Sequence, residues 1–135
     1  MFKRILIANR GEIAVRIAQT CKNMGIETVS VFSDADDNAM HVRESDHSAY
    51  IGPSISELSY LNIDKIIQVS KKFNVDAIHP GYGFLSENPD LAKACLDNNI
   101  SFIGPSEKIL KLLGNKSEAK KIAKESGVKT IPSFL

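Results

Sequence analysis

Ile5-Leu6-Ile7-Ala8-Asn9-Arg10-Gly11-Glu12-Ile13-Ala14 decides the fold, because an unbroken apolar run passes through a short polar turn into a helical pattern. Four apolar residues in a row, without polar alternation, describe a strand covered on both faces, as in a parallel sheet. A helix is expected from Gly11 to about Met24, with Ile13, Ile17, Cys21 and Met24 at helical spacing and Gly25 as its C-terminal stop. The chain thus begins strand–turn–helix, and the rest repeats that unit.

Ile26 to Phe32 reads as the second strand, residues 39–44 as a short helix, and Ala49-Tyr50-Ile51 as a strand ending at Gly52-Pro53. Ile63, Ile66, Ile67 and Val69 mark an amphipathic helix over 62–73, followed by strand Val75-Asp76-Ala77-Ile78. Asn88 with Pro89 behind it is a helix start, the asparagine as cap and the proline at the first helical position. That helix is expected to reach about Asn98, ahead of strand Ile100-Ser101-Phe102-Ile103 and Gly104-Pro105. Two helices, 106–113 and 116–126, flank Gly114-Asn115. Alternating strands and helices predict an α/β protein: a Rossmann-like open parallel sheet with helices on both faces and right-handed crossovers. Residues 1–114 are read as one domain and 115–135 as the start of a connection out of it. Val128, Ile131, Phe134 and Leu135 have no visible partner, and that closing run reads as a domain exit and a truncation point.

Composition fits this picture. The 135 residues are 43% hydrophobic and 24% charged, with a formal net charge of +1, as in a soluble globular domain. No apolar run approaches the roughly 18 residues of a membrane span. Met1-Phe2-Lys3-Arg4 leads at once into the first strand, which leaves no leader peptide to be expected. Cys21 and Cys95 both fall in helical patterns without metal-ligand spacing, so reduced core thiols and a cytoplasmic setting are expected. Seven lysines and three glutamates crowd residues 106–135. The lysines interleave with Ile109, Leu112, Leu113, Ala119 and Ile122 and have no aromatic platform, which describes a solvated helix face rather than a nucleic-acid surface.

Ligands of an open parallel sheet bind beyond the carboxyl ends of its strands. At the first such end, Asn9, Gly11 and Ala14 occupy the three places of the dinucleotide fingerprint G-x-G-x-x-G, and Asp34 lies where a ribose-binding acid would. The first glycine is missing, however, and Glu12 sets a negative charge where pyrophosphate would meet the helix N-terminus. The turn therefore reads as structural. His41 and His47 lack ligand partners in the sequence and read as surface or helix-end histidines.

His79-Pro80-Gly81-Tyr82-Gly83-Phe84-Leu85-Ser86-Glu87-Asn88 is the most informative stretch. Glycines on both sides of a tyrosine let backbone approach a ligand while the ring offers a flat wall, and Glu87 sits just ahead of a helix N-terminus. Taken alone, these residues leave two readings open: a tight connection or a ligand contact. The stretch closely resembles the signature of the biotin carboxylase family, the ATP-dependent component of acetyl-CoA, propionyl-CoA, methylcrotonyl-CoA and pyruvate carboxylases. The residues from Ile7 to Ala14, Ser59-Tyr60-Leu61-Asn62, Phe102-Ile103-Gly104-Pro105 and Gly114-Asn115-Lys116 are similar to the same family, which usually has Asp at the place of Asn115.

The resemblance implies a pre-ATP-grasp domain, not catalytic alone, joined in the complete enzyme to an ATP-grasp unit. That enzyme uses MgATP and bicarbonate to carboxylate biotin held on a carrier. It implies that Tyr82 and Gly83 bound the biotin pocket, that Lys116 reaches the nucleotide, and that His79 and Glu87 belong to the wall of the site. Arg16, Gln19 and Asn23 form an exposed helix stripe, and in bacterial-type members this face resembles part of a homodimer contact, for which Arg16 is the candidate. The remaining partners implied are the biotin carboxyl carrier and the carboxyltransferase, in a setting such as fatty acid biosynthesis. This segment by itself is expected to bind none of these cofactors. Two alternatives stand beside this reading. One is a non-catalytic folding and dimerisation module. The other is the N-terminal domain of another ATP-grasp ligase of the carbamoyl phosphate synthetase type, which would leave His79 to Asn88 unexplained.

Overall fold

The computed structural model describes residues 1–132. Five parallel strands, β1 (Arg4–Ile7), β2 (Glu27–Ser33), β3 (His47–Gly52), β4 (Ala77–His79) and β5 (Ser101–Phe102), form one sheet in the order β3-β2-β1-β4-β5. Between and after them lie α1 (Gly11–Asn23), α2 (Met40–Arg43), α3 (Ile63–Lys72), α4 (Pro89–Asp97), α5 (Glu107–Gly114) and α6 (Lys116–Glu125). The strand order reverses between β1 and β4, where Ile5, Leu6 and Ile7 pair with Ala77, Ile78 and His79. A crevice opens at such a reversal because the two crossovers leave toward opposite faces.

The apolar run of β1 serves both faces. Ile5 and Ile7 pack with Ile13, Ile17 and Cys21 of α1, while Leu6 joins Val29, Val31, Ile66, Ile78 and Leu91 on the side of α3 and α4. Both cysteines are buried and free, and burial pushes the Cys95 thiol up to about 11. Asn62 caps α3 by accepting from Lys65 N at 3.1 Å, and Asn88 caps α4 by accepting from Asp90 N at 2.8 Å with Pro89 in the first turn. Val128 and Ile131 are exposed and outside helix and strand, while Phe134 and Leu135 lie outside the described residues. Among the described residues no helix is long and apolar enough to cross a membrane.

His41 departs from the sequence reading. It is wholly buried rather than at the surface, with Nε2 donating to Val31 O at 3.0 Å and Nδ1 left without a partner. A four-residue helix carries too little periodicity to announce which side chain it buries. His47 is half-buried beside Glu27, 3.7 Å away.

Candidate functional site

The carboxyl ends of β1 and β4 bring together the Asn9-Arg10-Gly11 turn and the 79–88 loop. Asn9, Arg10, Gly11, Glu12, Tyr82, Gly83 and Phe84 line a cavity of about 380 Å³ between them. Asn9, the residue at the first fingerprint place, keeps φ negative; Gly11 takes the left-handed value of +65°. Asn9 is 3% exposed, and its amide nitrogen donates to Pro80 O and to Tyr82 O, each at 2.8 Å. The loop is thus folded around one buried amide of the neighbouring strand's turn.

Gly81, Gly83 and Phe84 have φ of +66°, +66° and +40°. Left-handed backbone favours glycine, and at Gly81 a Cβ would also fall 2.7 Å from Asn9 Nδ2. At Gly83 a Cβ would meet nothing within 4 Å, so the space over that glycine is open. Phe84 is held in its unusual conformation by stacking on Tyr60, and Leu85 beyond it is buried. Tyr82 is 60% exposed and donates its hydroxyl to Glu12, which keeps the phenol in its protonated form. Glu12, read from the sequence as a charge that disfavours pyrophosphate at the helix N-terminus, also orients the ring.

Behind the loop runs a polar chain that the sequence did not announce. Arg10 grips both carboxylate oxygens of Asp36 at 2.5 Å, and Asp36 accepts from the Tyr60 hydroxyl at 2.6 Å. Tyr60 accepts in turn from Ser33 N at 3.2 Å. The Arg10 bond holds the Asp36 carboxyl below its ordinary value, and burial and Asp36 push the Tyr60 phenol up to about 12. A buried carboxylate in this position is stable only because it is paired and hydrogen-bonded.

The other candidates spread outward. His79 is half-buried and lines a second cavity of about 330 Å³ with Arg16, Ile17, Cys21 and Ile103. Its Nδ1 accepts from Gly81 N at 3.1 Å, and burial, helped by Arg16, holds it toward the neutral form. Arg16, Gln19, Asn23 and Glu87 are exposed. Lys116 opens α6, is exposed, and lies on a helix that packs chiefly against α5 rather than on the loop. Asn115 accepts from Ser117 N at 3.0 Å and Glu118 N at 3.3 Å, the capping work an aspartate would do there.

The model of the biotin carboxylase N-terminal domain matches residues 1–110. The chain belongs to that family. Biotin carboxylase 1 of Bacillus subtilis is 50% identical over 132 residues, 98% of this chain and 29% of that protein. The mitochondrial propionyl-CoA carboxylase alpha chain of Mus musculus is 48% identical over 133 residues, 98% of this chain and 18% of that one. Among solved structures, the biotin carboxylase domain dimer of Hydrogenobacter thermophilus 2-oxoglutarate carboxylase, in complex with MgADP, ADP and bicarbonate, superposes with a TM-score of 0.93 at 42% identity. The match covers 98% of this chain and 29% of that one. This biotin carboxylase N-terminal domain thus spans less than a third of the length of each of these relatives.

Proposed function

We propose that this domain supplies one wall of a biotin carboxylase active site, in a polypeptide that uses MgATP and bicarbonate to carboxylate biotin on a carrier. The observation that carries the reading is the 79–88 loop at the strand-order reversal, with a solvent-facing Tyr82 ring beside the open space over Gly83. A flat ring beside uncovered backbone suits a ligand with one planar ring and polar edge atoms, such as the ureido ring of biotin. Tyr82 and Gly83 bound that pocket, and His79 and Glu87 belong to its wall. In this reading Lys116 reaches the nucleotide from the first turn of α6, and residues 115–135 lead toward the ATP-grasp unit.

Among the described residues no three His, Cys, Asp or Glu side chains gather as a metal site. In this reading carboxylates of the ATP-grasp remainder would hold Mg²⁺, which would neutralise the phosphates. Carrier and carboxyltransferase complete the cycle, and Arg16 on the exposed face of α1 meets a second protomer. The setting is cytoplasmic, as in the carboxylation that feeds fatty acid biosynthesis.

The full-length polypeptide tests this. It is expected to cleave ATP in a bicarbonate- and biotin-dependent manner, and Tyr82→Ala is expected to raise KM for free biotin while KM for ATP stays put. Biotin-independent kinetics in the wild type, or an unmoved biotin KM in Tyr82→Ala, would remove the loop from the biotin site.

A further inference from the structure

Asn9 is 3% exposed at the edge of the cavity it helps line, and it holds the loop from inside. Its amide nitrogen donates at 2.8 Å to the carbonyls on either side of Gly81, those of Pro80 and Tyr82. Its Oδ1 accepts from Arg10 N at 2.8 Å, which fixes the amide's orientation and leaves the nitrogen end toward the loop. Two acceptor oxygens converging on one nitrogen require an NH₂ group: a carboxylate would repel both, and a hydroxyl has a single proton to give. Gly81 is bound to the same spot from the other side, because a Cβ there would lie 2.7 Å from Asn9 Nδ2 and 3.2 Å from Asn9 Cβ. The carbonyl of Tyr82 is thereby pinned while its ring stays outside, 60% exposed.

We propose that Asn9 is a positioning residue for substrate, setting Tyr82 and Gly83 at the height and angle that receive biotin without touching it. The inference rests on the reading of Tyr82 and Gly83 as the biotin wall. It separates Asn9 from the Arg10–Asp36–Tyr60 chain, which reaches the loop farther along, through the stack of Tyr60 on Phe84.

The test uses the full-length enzyme with free biotin, and the variants Asn9→Asp, Tyr82→Ala and the pair of them. Asn9→Asp is expected to raise KM for biotin roughly 10-fold, the worth of one or two neutral hydrogen bonds, with KM for ATP unmoved. In the Tyr82→Ala background the same change is expected to add little, because Asn9 acts through that residue. Gly81→Ala presses on the contact from the loop side and is expected to give the same split, which keeps the test available if Asn9→Asp fails to fold. Equal rises in the biotin and ATP constants, or additive effects in the pair, would make Asn9 an ordinary structural residue. A raised biotin KM in Tyr82→Ala with a wild-type value in folded Asn9→Asp would overturn the positioning role alone. A wild-type biotin KM in Tyr82→Ala would overturn the biotin wall, and the positioning role with it.

Discussion

Phe84 lies over the ring of Tyr60, centroids 5.1 Å apart and planes 21° from parallel. The two rings join a surface loop to the polar interior, since Tyr60 is 2% exposed and bonded to Asp36 while Phe84 is 37% exposed. Removing only the hydroxyl separates the two roles. Tyr60→Phe keeps the stack, but takes a donor from the buried Asp36 and an acceptor from Ser33 N. Leaving such groups short of a partner costs about 1–3 kcal/mol. Thermal unfolding of Tyr60→Phe is expected to start several degrees lower, and an unchanged melting temperature would show that Arg10 alone satisfies Asp36.

His41 makes stability depend on pH. Burial holds its pKa below 6.5, with Val31 O and Asp36 pulling upward and Arg10 downward. The unfolded chain therefore takes up a proton before the folded one does, and stability is full above about 6.5 and falls as pH drops through the lower folded value. His79 contributes with the same sign. Asp36 acts in a lower window: its depressed pKa gives stability above the ordinary carboxylate range that is lost as acid titrates it. His41→Gln keeps a donor toward Val31 O and cannot titrate. Denaturant midpoints measured between pH 7 and 5 are expected to fall less steeply in His41→Gln than in the wild type, and parallel slopes would exclude His41 as a source.

The sheet was legible because β1 carries its evidence locally: Ile5, Leu6 and Ile7 are apolar without alternation, and each face of the sheet claims its share. Asn88-Pro89 and Asn62 announced helix starts for the same reason, since a cap acts within three residues. The loop 79–88 was legible by resemblance, and its glycines by chemistry. Asn9, Asp36 and Tyr60 were not, because their roles arise between segments far apart in the chain. Asn9 meets Pro80 and Tyr82 only once β1 and β4 are neighbours, and Arg10 meets Asp36 only once β2 lies on the other side. The missing first glycine was a usable signal, since an asparagine there with negative φ has a side chain free for another task.

Lys116 is expected to matter for nucleotide and not for biotin. If Lys116 donates to the nucleotide as proposed, Lys116→Ala in the full-length enzyme removes a charged hydrogen bond worth about 1.5–3 kcal/mol, and KM for ATP is expected to rise roughly 10- to 100-fold. An unchanged KM for ATP would return this lysine to the solvated face of α6.

Arg16 is exposed on α1 in this single chain. Arg16→Glu reverses its charge, and at an interface between protomers that change is expected to shift the full-length enzyme toward monomer on sedimentation. Sedimentation identical to wild type would leave Arg16 as ordinary surface.

The isolated 135-residue chain is expected to fold and yet bind neither MgATP nor biotin measurably. Folding is supported by a five-stranded sheet with buried apolar clusters on both faces, which is a complete core for a domain of this size. Binding is another matter. Phosphoryl transfer needs Mg²⁺ held by carboxylates and cations around the phosphates, and the acids best placed near the loop are already engaged, Glu12 by Tyr82 and Asp36 by Arg10 and Tyr60. For a ligand at the loop, the cavity between the Asn9–Glu12 turn and Tyr82–Phe84 is open to solvent, while tight small-molecule sites bury about 70–90% of their ligand. A circular dichroism melt is therefore expected to be cooperative, while calorimetry with MgATP and with biotin shows no heat of binding. Micromolar affinity for ATP in this segment would mean that the open end of α1, with Arg10 beside it, forms a phosphate cradle in spite of Glu12, and the division of labour between this domain and the rest of the enzyme would have to be redrawn.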